Sequence, residues 1–271
     1  MNNWSEILPF IQELTQQVGD RLLADFEQAR VAISKDDGSL VTQSDQWADA
    51  YIKSALEIEF PDFGILTEES TQTLPDREWA WVVDPLDGTT NFARGIPIWG
   101  ISLGLLHWGT PVFGYVAIPP LGQNIYGWSD ENGAAAFVNG NPLHLAESSP
   151  DPDALGNYFF SACSRSLGKI GRSKFPFKLR MLGVASYNLL TVALGSTIGA
   201  VEATPKIWDI AAVWVILKAI GAIWIPQEEL LNIFPLELGK DYSDRNFPTL
   251  VVSHTELLPI LQEIAKPLKA K

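Results

Sequence analysis

The sequence predicts an α+β fold in its first half and α/β layering in its second half. Residues 5–29 place apolar side chains at helical spacing, and residues 98–119 alternate like two neighbouring strands of an antiparallel sheet. After a polar, proline-rich stretch at 148–153, helices and strands alternate to the end of the chain. We therefore expect an N-terminal α+β lobe over residues 1–148 and a C-terminal α/β lobe over residues 149–271, joined in one structural unit.

The first lobe is expected to open with two helices. Apolar spacing supports the first helix, and a second follows Asp45 as far as Leu56, before Pro61. Further strands are expected at residues 63–67, 81–84, 98–107, 111–119 and 124–128. A hairpin over residues 133–145 is expected to turn at Asn139-Gly140, a strong type I′ signal.

The second lobe is expected to contain a buried helix from Asp209 to Ile220, because this segment is apolar on nearly all sides. Other helices are predicted at residues 165–174, 186–194 and 256–269. Strands are predicted at 157–163, 177–182, 199–203, 222–226, near Phe234 and at 249–253.

The composition excludes several classes of partner and location. A net charge of −13 argues against nucleic acid and against anionic membrane surfaces. The longest apolar run, from Ile207 to Ile225, contains Asp209 and Lys218 and is too interrupted to span a bilayer. Cys163 is the only cysteine, which rules out an intramolecular disulfide. With no signal-peptide pattern at the first residues, we expect a cytoplasmic protein.

The most informative stretch is Asp84-Pro85-Leu86-Asp87-Gly88-Thr89-Thr90, which follows an apolar strand pattern. Two carboxylates on one tight turn at a strand end suit hard divalent cations, which prefer oxygen ligands. The Gly-Thr-Thr that follows offers hydroxyls and backbone N–H groups, the features of a phosphate site at a helix N-terminus. Metal ligands beside a phosphate cradle indicate chemistry on a phosphate ester.

Three motifs resemble the signatures of the inositol monophosphatase family, whose members are Mg²⁺-dependent, lithium-sensitive phosphatases. They are Leu66-Thr-Glu-Glu-Ser70, Asp84-Pro-Leu-Asp-Gly-Thr-Thr-Asn-Phe92 and Trp208-Asp-Ile-Ala-Ala212, and they occur in the family's order. The resemblance extends from about Lys35 to Gly221. It implies the family's fold, a layered αβαβα sandwich.

The resemblance implies two or three Mg²⁺ ions held by one set of ligands: Glu68, Asp84, the Leu86 carbonyl, Asp87 and Asp209. It also implies that Asp45 pairs with Thr89. From local sequence alone, Asp45 and Asp209 are also typical of residues that cap a helix. Two adjacent glutamates more often lie on a solvated surface than bind a metal. An unpaired Asp209 beside such apolar neighbours would be costly, which a metal would relieve.

The expected reaction is hydrolysis without a covalent intermediate. One Mg²⁺, held by Glu68 and Asp84, would lower the pKa of a water, and Thr89 would help remove its proton. A second Mg²⁺, held by Asp84, Asp87 and Asp209, would steady the leaving oxygen. Gly88, Thr89 and Thr90 are the expected phosphate-binding residues.

The expected substrate is a small phosphorylated polyol or sugar, with inositol 1-phosphate first. By resemblance, Glu202 would hydrogen-bond the hydroxyls, and Gly183, Val184 and Ala185 would contact the substrate. Each of these residues also suits a scaffold role. Fructose 1,6-bisphosphate, 3′-phosphoadenosine 5′-phosphate and histidinol phosphate are the alternative substrates for the same chemistry. The family also implies a homodimer.

Two positions depart from the family's pattern. Lys218 stands where the family usually has glutamate, and Asp49 stands where the longer glutamate is common.

Two rival functions fit the sequence less well. Phosphatases with an aspartyl nucleophile place their two carboxylates two residues apart, whereas Asp84 and Asp87 are three apart. A non-catalytic metal- or ligand-binding homologue would lack a carboxylate or Thr89, and all are present.

Overall fold

The computed structural model describes residues 4–28, 32–34, 40–171, 175–227 and 232–268. The helices are α1 (Trp4–Gln28), α2 (Gln43–Glu59), α3 (Thr89–Arg94), α4 (Ser164–Ile170), α5 (Ala185–Leu190), α6 (Ile207–Ala219) and α7 (Leu258–Ala265). Short 3₁₀ turns cover residues 119–121, 152–157, 255–257 and 266–268.

The strands form three sheets. They are β1 (Ala32–Ser34), β2 (Leu40–Thr42), β3 (Gly64–Thr67), β4 (Trp79–Asp87), β5 (Gly100–His107), β6 (Thr110–Ile118), β7 (Gln123–Asp130), β8 (Gly133–Val138), β9 (Asn141–Pro142), β10 (Phe159–Ala162), β11 (Lys178–Arg180), β12 (Gly199–Glu202), β13 (Ile223–Pro226) and β14 (Thr249–Val252). A seven-stranded sheet runs in chain order from β3 to β9, antiparallel except for the β3–β4 pair. A five-stranded mixed sheet has the order β11-β10-β12-β14-β13, and β1 pairs only with β2.

Strand β4 is buried on both faces, and its successive side chains point alternately to one face and the other. Trp81 and Val83 pack against α1 and α2, which cover one face of the seven-stranded sheet. Ala80 and Val82 face the other way, into a second core built from α5 and α6. Because successive strand residues point to opposite faces, one apolar strand contributes to two helix layers.

Helix α6 lies unusually close to the seven-stranded sheet. A Cβ added to Gly104 on β5 would lie 2.9 Å from the Ala212 nitrogen, and one added to Gly114 on β6 would lie 2.3 Å from the Ala212 oxygen. These glycines therefore permit a close approach of two backbones that a side chain would prevent. This approach fixes the middle of α6 against β5 and β6.

The five-stranded sheet and its outer helices complete the molecule. Ala200 and Val251 face α5 and α6, whereas Val201, Leu250 and Val252 pack with α4 and α7. The layers are therefore helix, sheet, helix, sheet and helix, which confirms the αβαβα sandwich. The middle core contains residues from both halves of the chain. The division into lobes at residues 148 and 149 stays a prediction.

Most predicted elements are present; α2, β4 and β7 are longer than predicted, and most of the others are shorter or shifted by a residue. The hairpin turn at Asn139-Gly140 is confirmed, with positive φ angles of 50° and 80°. The strand predicted near Phe234 is wrong, because residues 232–248 contain no strand and Phe234 packs its ring 5.0 Å from that of Trp214. The helix predicted over 165–174 ends at Ile170, and residues 172–174 lie outside the described part. None of the described helices has the length and apolar character needed to cross a membrane.

Candidate active site

The turn at the end of β4 places two carboxylates together. The pairing of β4 with β5 shifts register between Asp84 and Asp87, which re-aims the side chains as a β-bulge does. The Leu86 N–H donates to Asp84 Oδ1 over 3.0 Å and holds the turn closed. Gly88 then adopts a φ of 95°, and a Cβ there would lie 2.7 Å from Val184 Cγ2. Glycine is therefore required where the turn enters α3.

A third carboxylate reaches this turn from α6. Asp209 lies in the first turn of α6, and its Oδ2 accepts the Lys206 N–H over 2.6 Å. Carboxylate oxygens of Asp84, Asp87 and Asp209 all lie within 4.8 Å of one another. Asp209 thus caps its helix and also belongs to an acidic cluster, so the two interpretations of this residue are compatible.

The acidic cluster is electrostatically costly without a cation. Burial, followed by the charges of Glu68, Asp87 and Asp209, raises the pKa of Asp84 well above its usual range. Burial and the same kind of repulsion raise the pKa of Asp209. Like charges this close disfavour each other's ionised form, and a cation among them would relieve that repulsion. The donor set consists of oxygen atoms, which fits Mg²⁺.

Asp87 also links the turn to the second half of the chain. Its Oδ1 accepts the Ala185 N–H over 3.2 Å and its Oδ2 accepts the Ser186 N–H over 2.7 Å. These N–H groups open α5, whose own N-cap residue, Val184, makes no side-chain capping bond. A carboxylate from β4 therefore satisfies the free donors of a helix 98 residues away in sequence.

Thr89 and Asp45 form a hydrogen-bonded pair beside the cluster. The Thr89 hydroxyl lies 2.8 Å from Asp45 Oδ1 and 3.1 Å from the Leu86 carbonyl. The other oxygen of Asp45 accepts the Thr42 N–H over 2.8 Å, which completes a capping box at the start of α2. Burial raises the pKa of Asp45, and hydrogen bonds from Thr42 and Thr89 oppose that rise. Asp45 therefore caps α2 and orients Thr89 together.

Glu202 ends β12 in a buried polar network. Its Oε1 accepts from the Asn188 amide over 2.7 Å, and the Asn188 oxygen accepts from Ser161 Oγ over 2.8 Å. Burial, then the neighbouring Cys163 thiol, raises the pKa of Glu202 well above its usual value. The hydrogen bond from Asn188 thus holds the carboxyl group in place at the end of β12.

These groups surround one cavity of about 560 Å³. Its floor is buried and acidic, since Asp84 and Asp87 are 1% and 7% exposed. Its wall contains Glu68, Leu86, Gly88, Thr89, Thr90, Gly183, Val184, Ala185, Glu202 and Asp209, all of them predicted site residues. Asp45 is not in the wall and reaches the cavity through Thr89.

Several cavity residues were not predicted from the sequence. Asn91, Cys163, Arg165, Met181 and Asn188 also line the wall. A usable signal existed for Arg165, because Ser164-Arg165 follows a predicted apolar strand, as functional residues in layered α/β folds often do. No comparable signal marks Asn188, which lies inside the predicted helix over 186–194.

The two departures from the family's pattern lie outside the cavity wall. Lys218 is exposed, with its Nζ 4.7 Å from the centre of the Trp214 ring. Asp49 is 5% exposed, and its Oδ1 finds no hydrogen-bond partner among the described residues.

The family of this chain follows from its match to known sequences. Residues 3–247 match the sequence model of the inositol monophosphatase family. The chain belongs to this family. Membership makes it a phosphoric monoester hydrolase with the αβαβα fold described above.

The relatives differ in their named substrates. An inositol-1-monophosphatase of Rhizobium meliloti is 30% identical, over 98% of this chain and 99% of the relative. A fructose-1,6-bisphosphatase/inositol-1-monophosphatase of Aquifex aeolicus is 29% identical over 78% of this chain and 85% of its own. A histidinol-phosphatase of Chlorobaculum parvum is 28% identical, over 77% of this chain and 81% of the relative.

Solved structures agree on the fold. An IMPase of Thermotoga maritima superimposes with a TM-score of 0.77 at 25% identity, covering 97% of this chain and 99% of the other. An IMPase/NADP phosphatase crystallised with Mg²⁺ and phosphate superimposes with a TM-score of 0.78 at 20% identity, covering 100% of this chain and 97% of the other.

Proposed function

We propose that this protein hydrolyses inositol 1-phosphate in a Mg²⁺-dependent reaction in which water attacks the phosphorus directly. The observation that carries the proposal is that the three clustered carboxylates and Thr89, which is hydrogen-bonded to Asp45 behind it, line one cavity. Hydrolysis of a phosphate ester depends more on charge neutralisation and on the in-line positioning of water than on a protein nucleophile.

Glu68, Asp84, Asp87, Asp209 and the Leu86 carbonyl are the proposed ligands of two or three Mg²⁺ ions. The ions would lower the pKa of the attacking water and neutralise charge on the phosphate and the leaving oxygen. The carboxylates supply the negative charge that holds the ions, and their mutual repulsion in the free protein favours binding.

Thr89 is proposed to orient the attacking water. When its hydroxyl donates to Asp45, its lone pairs remain to accept a proton from water. Asp45 is the final proton acceptor in this pair, and its contacts with Thr42 fix its position. The backbone N–H groups of Gly88, Thr89 and Thr90 lie at the start of α3 and are proposed to hold the phosphate oxygens.

Glu202 is proposed to bind hydroxyl groups of the alcohol. A carboxyl group that Asn188 fixes in the cavity wall offers hydrogen-bonding oxygens to the hydroxyl groups of a polyol. Gly183, Val184 and Ala185 form the adjoining wall and would contact the ring of the substrate. The Rhizobium relative's name supports inositol phosphate as the first candidate.

A second candidate is fructose 1,6-bisphosphate, favoured by Arg165. Among the described residues in the cavity wall, Arg165 is the one lysine or arginine. Its Nη1 donates to Thr204 Oγ1 over 2.8 Å, which directs the guanidinium along the wall. A guanidinium pairs well with a second phosphate group. The Aquifex relative's name combines both activities.

The test is phosphate release from inositol 1-phosphate, fructose 1,6-bisphosphate, 3′-phosphoadenosine 5′-phosphate and histidinol phosphate, with Mg²⁺ and with chelator. We expect Mg²⁺-dependent turnover, fastest for inositol 1-phosphate. Asp84→Asn is expected to lower kcat by at least about 10³-fold, because it removes charge at the centre of the cluster.

Asp62→Asn is the matched control, since Asp62 is an exposed carboxylate outside the cavity wall. It should retain wild-type turnover. Faster turnover of another ester would change the substrate and keep the mechanism. Absence of Mg²⁺-dependent release from all four esters would contradict the proposed mechanism. A homodimeric state, lithium sensitivity and a cytoplasmic location stay predictions that the family suggests.

A further inference from the structure

Positive charge is concentrated in one part of the sequence. Residues 154–201 contain six lysines and arginines and no aspartate or glutamate, although the whole chain has a net charge of −13. The remainder of the chain is therefore more negative than the total. A phosphate monoester carries nearly two negative charges at neutral pH, so most of this protein repels the ester that its cavity is proposed to hold.

Four of these basic residues lie in the described part of the chain, and we call them the cationic strip: Arg165, Lys169, Lys178 and Arg180. All four are exposed. Within the described ranges, none of them lies in an ion pair with a carboxylate. The side-chain hydrogen bonds of the two arginines go to uncharged oxygen atoms. The positive charge of the strip is therefore not neutralised by its neighbours.

The strip begins in the cavity wall, on α4. Arg165 lies in the wall near the start of this helix. Lys169 follows on the same side of the helix, about 6 Å further along, because residues four apart lie one above the other. Lys169 itself is outside the wall. The helix thus extends positive charge outward from the cavity.

Strand β11 carries the other half of the strip. Arg180 is the register partner of Ser161 in the parallel β10–β11 pair, so both side chains lie on one face of the sheet. Ser161 Oγ donates to Asn188, which lines the cavity, and this face is therefore the side of the sheet on which the cavity lies. Lys178 lies on the same face, about 7 Å before Arg180 along the strand.

We propose that the cationic strip attracts phosphate esters to the cavity entrance and so offsets their repulsion by the rest of the protein. The inference rests on the proposed function, because the ester must be the ligand of the cavity. A field of this kind raises the concentration of an anion at an entrance before any contact is made. The strip therefore acts on the capture of the substrate, whereas the clustered carboxylates and Thr89 act on its hydrolysis.

The two lysines separate attraction at a distance from direct binding. Lys169 and Lys178 lie outside the cavity wall, and their side chains make no hydrogen bond with any residue that the structure describes. Removing their charge therefore leaves the wall intact. Charges at this separation act through solvent, where salt screens them over about 10 Å at an ionic strength of 0.1 M. Salt dependence thus distinguishes attraction by the strip from contact within the site.

The test compares the wild-type protein with the Lys169→Gln/Lys178→Gln double variant in saturating Mg²⁺, at ionic strengths of about 0.03 M and about 0.3 M. With inositol 1-phosphate at the lower ionic strength, we expect kcat/KM of the variant to be about three- to fivefold below that of the wild type, with kcat within about twofold. At the higher ionic strength the two proteins should have equal kcat/KM, because salt screens the lysines.

Arg77→Gln/Lys218→Gln is the matched control, because it removes the same charge from two exposed residues outside the cavity wall. Arg77 precedes β4, whose opposite end carries Asp84 and Asp87. Lys218 lies near the end of α6, whose first turn carries Asp209. Both charges are thus remote from the cavity, and kcat/KM of the control should equal that of the wild type at both ionic strengths.

An equal loss of kcat/KM at the two ionic strengths, no loss at all, or a loss of the same size in the control would each overturn the inference. The affinity of the Mg²⁺-loaded protein for inorganic phosphate, measured by calorimetry, gives a readout without turnover. It should weaken in the double variant at the lower ionic strength only, and a wild-type protein that binds no phosphate would also overturn the inference. Failure of the proposed function looks different, since no ester would then be hydrolysed while the phosphate affinities still show whether the strip attracts the anion.

Discussion

At the scale of single residues, Thr89 is the clearest link between structure and reaction. Its hydroxyl lies within hydrogen-bond distance of Asp45 on α2 and of the Leu86 carbonyl on the turn at the end of β4. Asp45 has a second role as part of the α2 capping box, so a change there disturbs both folding and chemistry. Substituting Thr89 separates these effects, because the hydroxyl caps no helix.

Thr89→Val is expected to lower kcat about 10²- to 10⁴-fold, because valine keeps the shape and removes the group that orients water. Stability should fall by only about 1 kcal/mol, the usual contribution of one hydrogen bond. Steady-state phosphate release in saturating Mg²⁺ measures the first effect, and urea unfolding measures the second.

Thr89→Ser is the matched variant, since serine keeps the hydroxyl and loses only a methyl group. It should recover most of the activity. Equal loss in the valine and serine variants would show that packing, rather than the hydroxyl, is what Thr89 provides.

At the scale of elements, the loop before α5 is shaped by a glycine. Gly183 has a φ of 78°, and a Cβ there would lie 2.8 Å from the Asn91 side-chain oxygen. Asn91 joins this loop to the segment before β5 through its bonds to Leu182 and Ile98. The loop therefore needs both a left-handed backbone and the absence of a side chain.

Gly183→Ala is expected to destabilise the protein by about 2–4 kcal/mol. About 1–2 kcal/mol comes from the positive φ, and the remainder from disturbing the hydrogen bonds of Asn91. Gly195→Ala isolates the first contribution, because Gly195 has a φ of 68° and open space around its Cβ position. Urea unfolding of the two variants gives the difference, and equal losses would contradict a steric role for Asn91.

Local patterns predicted most elements, and the long ones most reliably. The apolar spacing of α1, the continuous apolar character of α6 and the alternation of β5 and β6 were sufficient, because each of these elements packs into the hydrophobic cores. The β1–β2 pair was missed, since three-residue strands carry no measurable period. Only the start of α3 was predicted, as a helix N-terminus at Gly-Thr-Thr. Phe234 is apolar because it packs against Trp214, and this apolar character resembles that of a strand.

The candidate site was predictable as far as motifs mark it. The carboxylates stand in distinctive sequences, so their convergence on one cavity could be expected from the resemblance. Asn188 holds Glu202, and Asn91 holds the backbone at Leu182, through contacts between distant segments. Such contacts depend on the tertiary arrangement, and single-residue sequence signals do not contain it.

At the scale of the whole molecule, the site lies where both halves of the chain meet. Asp84 and Asp87 come from the seven-stranded sheet, whereas Asp209 opens a helix packed between the two sheets. The protein carries a net charge of −13, and its acidic cluster concentrates part of that charge in a buried place. We therefore expect cation binding to affect the stability of the whole fold as well as the proposed catalysis.

The raised pKa values of Asp84 and Asp209 give this dependence a sign. A carboxyl group whose pKa is higher in the folded than in the unfolded protein contributes a stability that is present at low pH and is lost as pH rises through the folded value. The metal-free protein should therefore lose stability as pH rises above the ordinary aspartate pKa of 3.8. Mg²⁺ should compensate for this loss, because it binds the ionised cluster.

We expect the Mg²⁺-induced gain in Tm to be larger at pH 8 than at pH 5.5, by roughly 3 °C or more. Thermal unfolding with Mg²⁺ and with chelator at each pH measures the gain. Asp84→Asn should have two opposite effects at pH 8: it should stabilise the metal-free protein by about 1–3 kcal/mol by removing one buried like charge, and it should remove most of the Mg²⁺-induced gain. An Asp84→Asn protein that is less stable than wild type in chelator would show that hydrogen bonding by Asp84, and not charge repulsion, dominates this cluster.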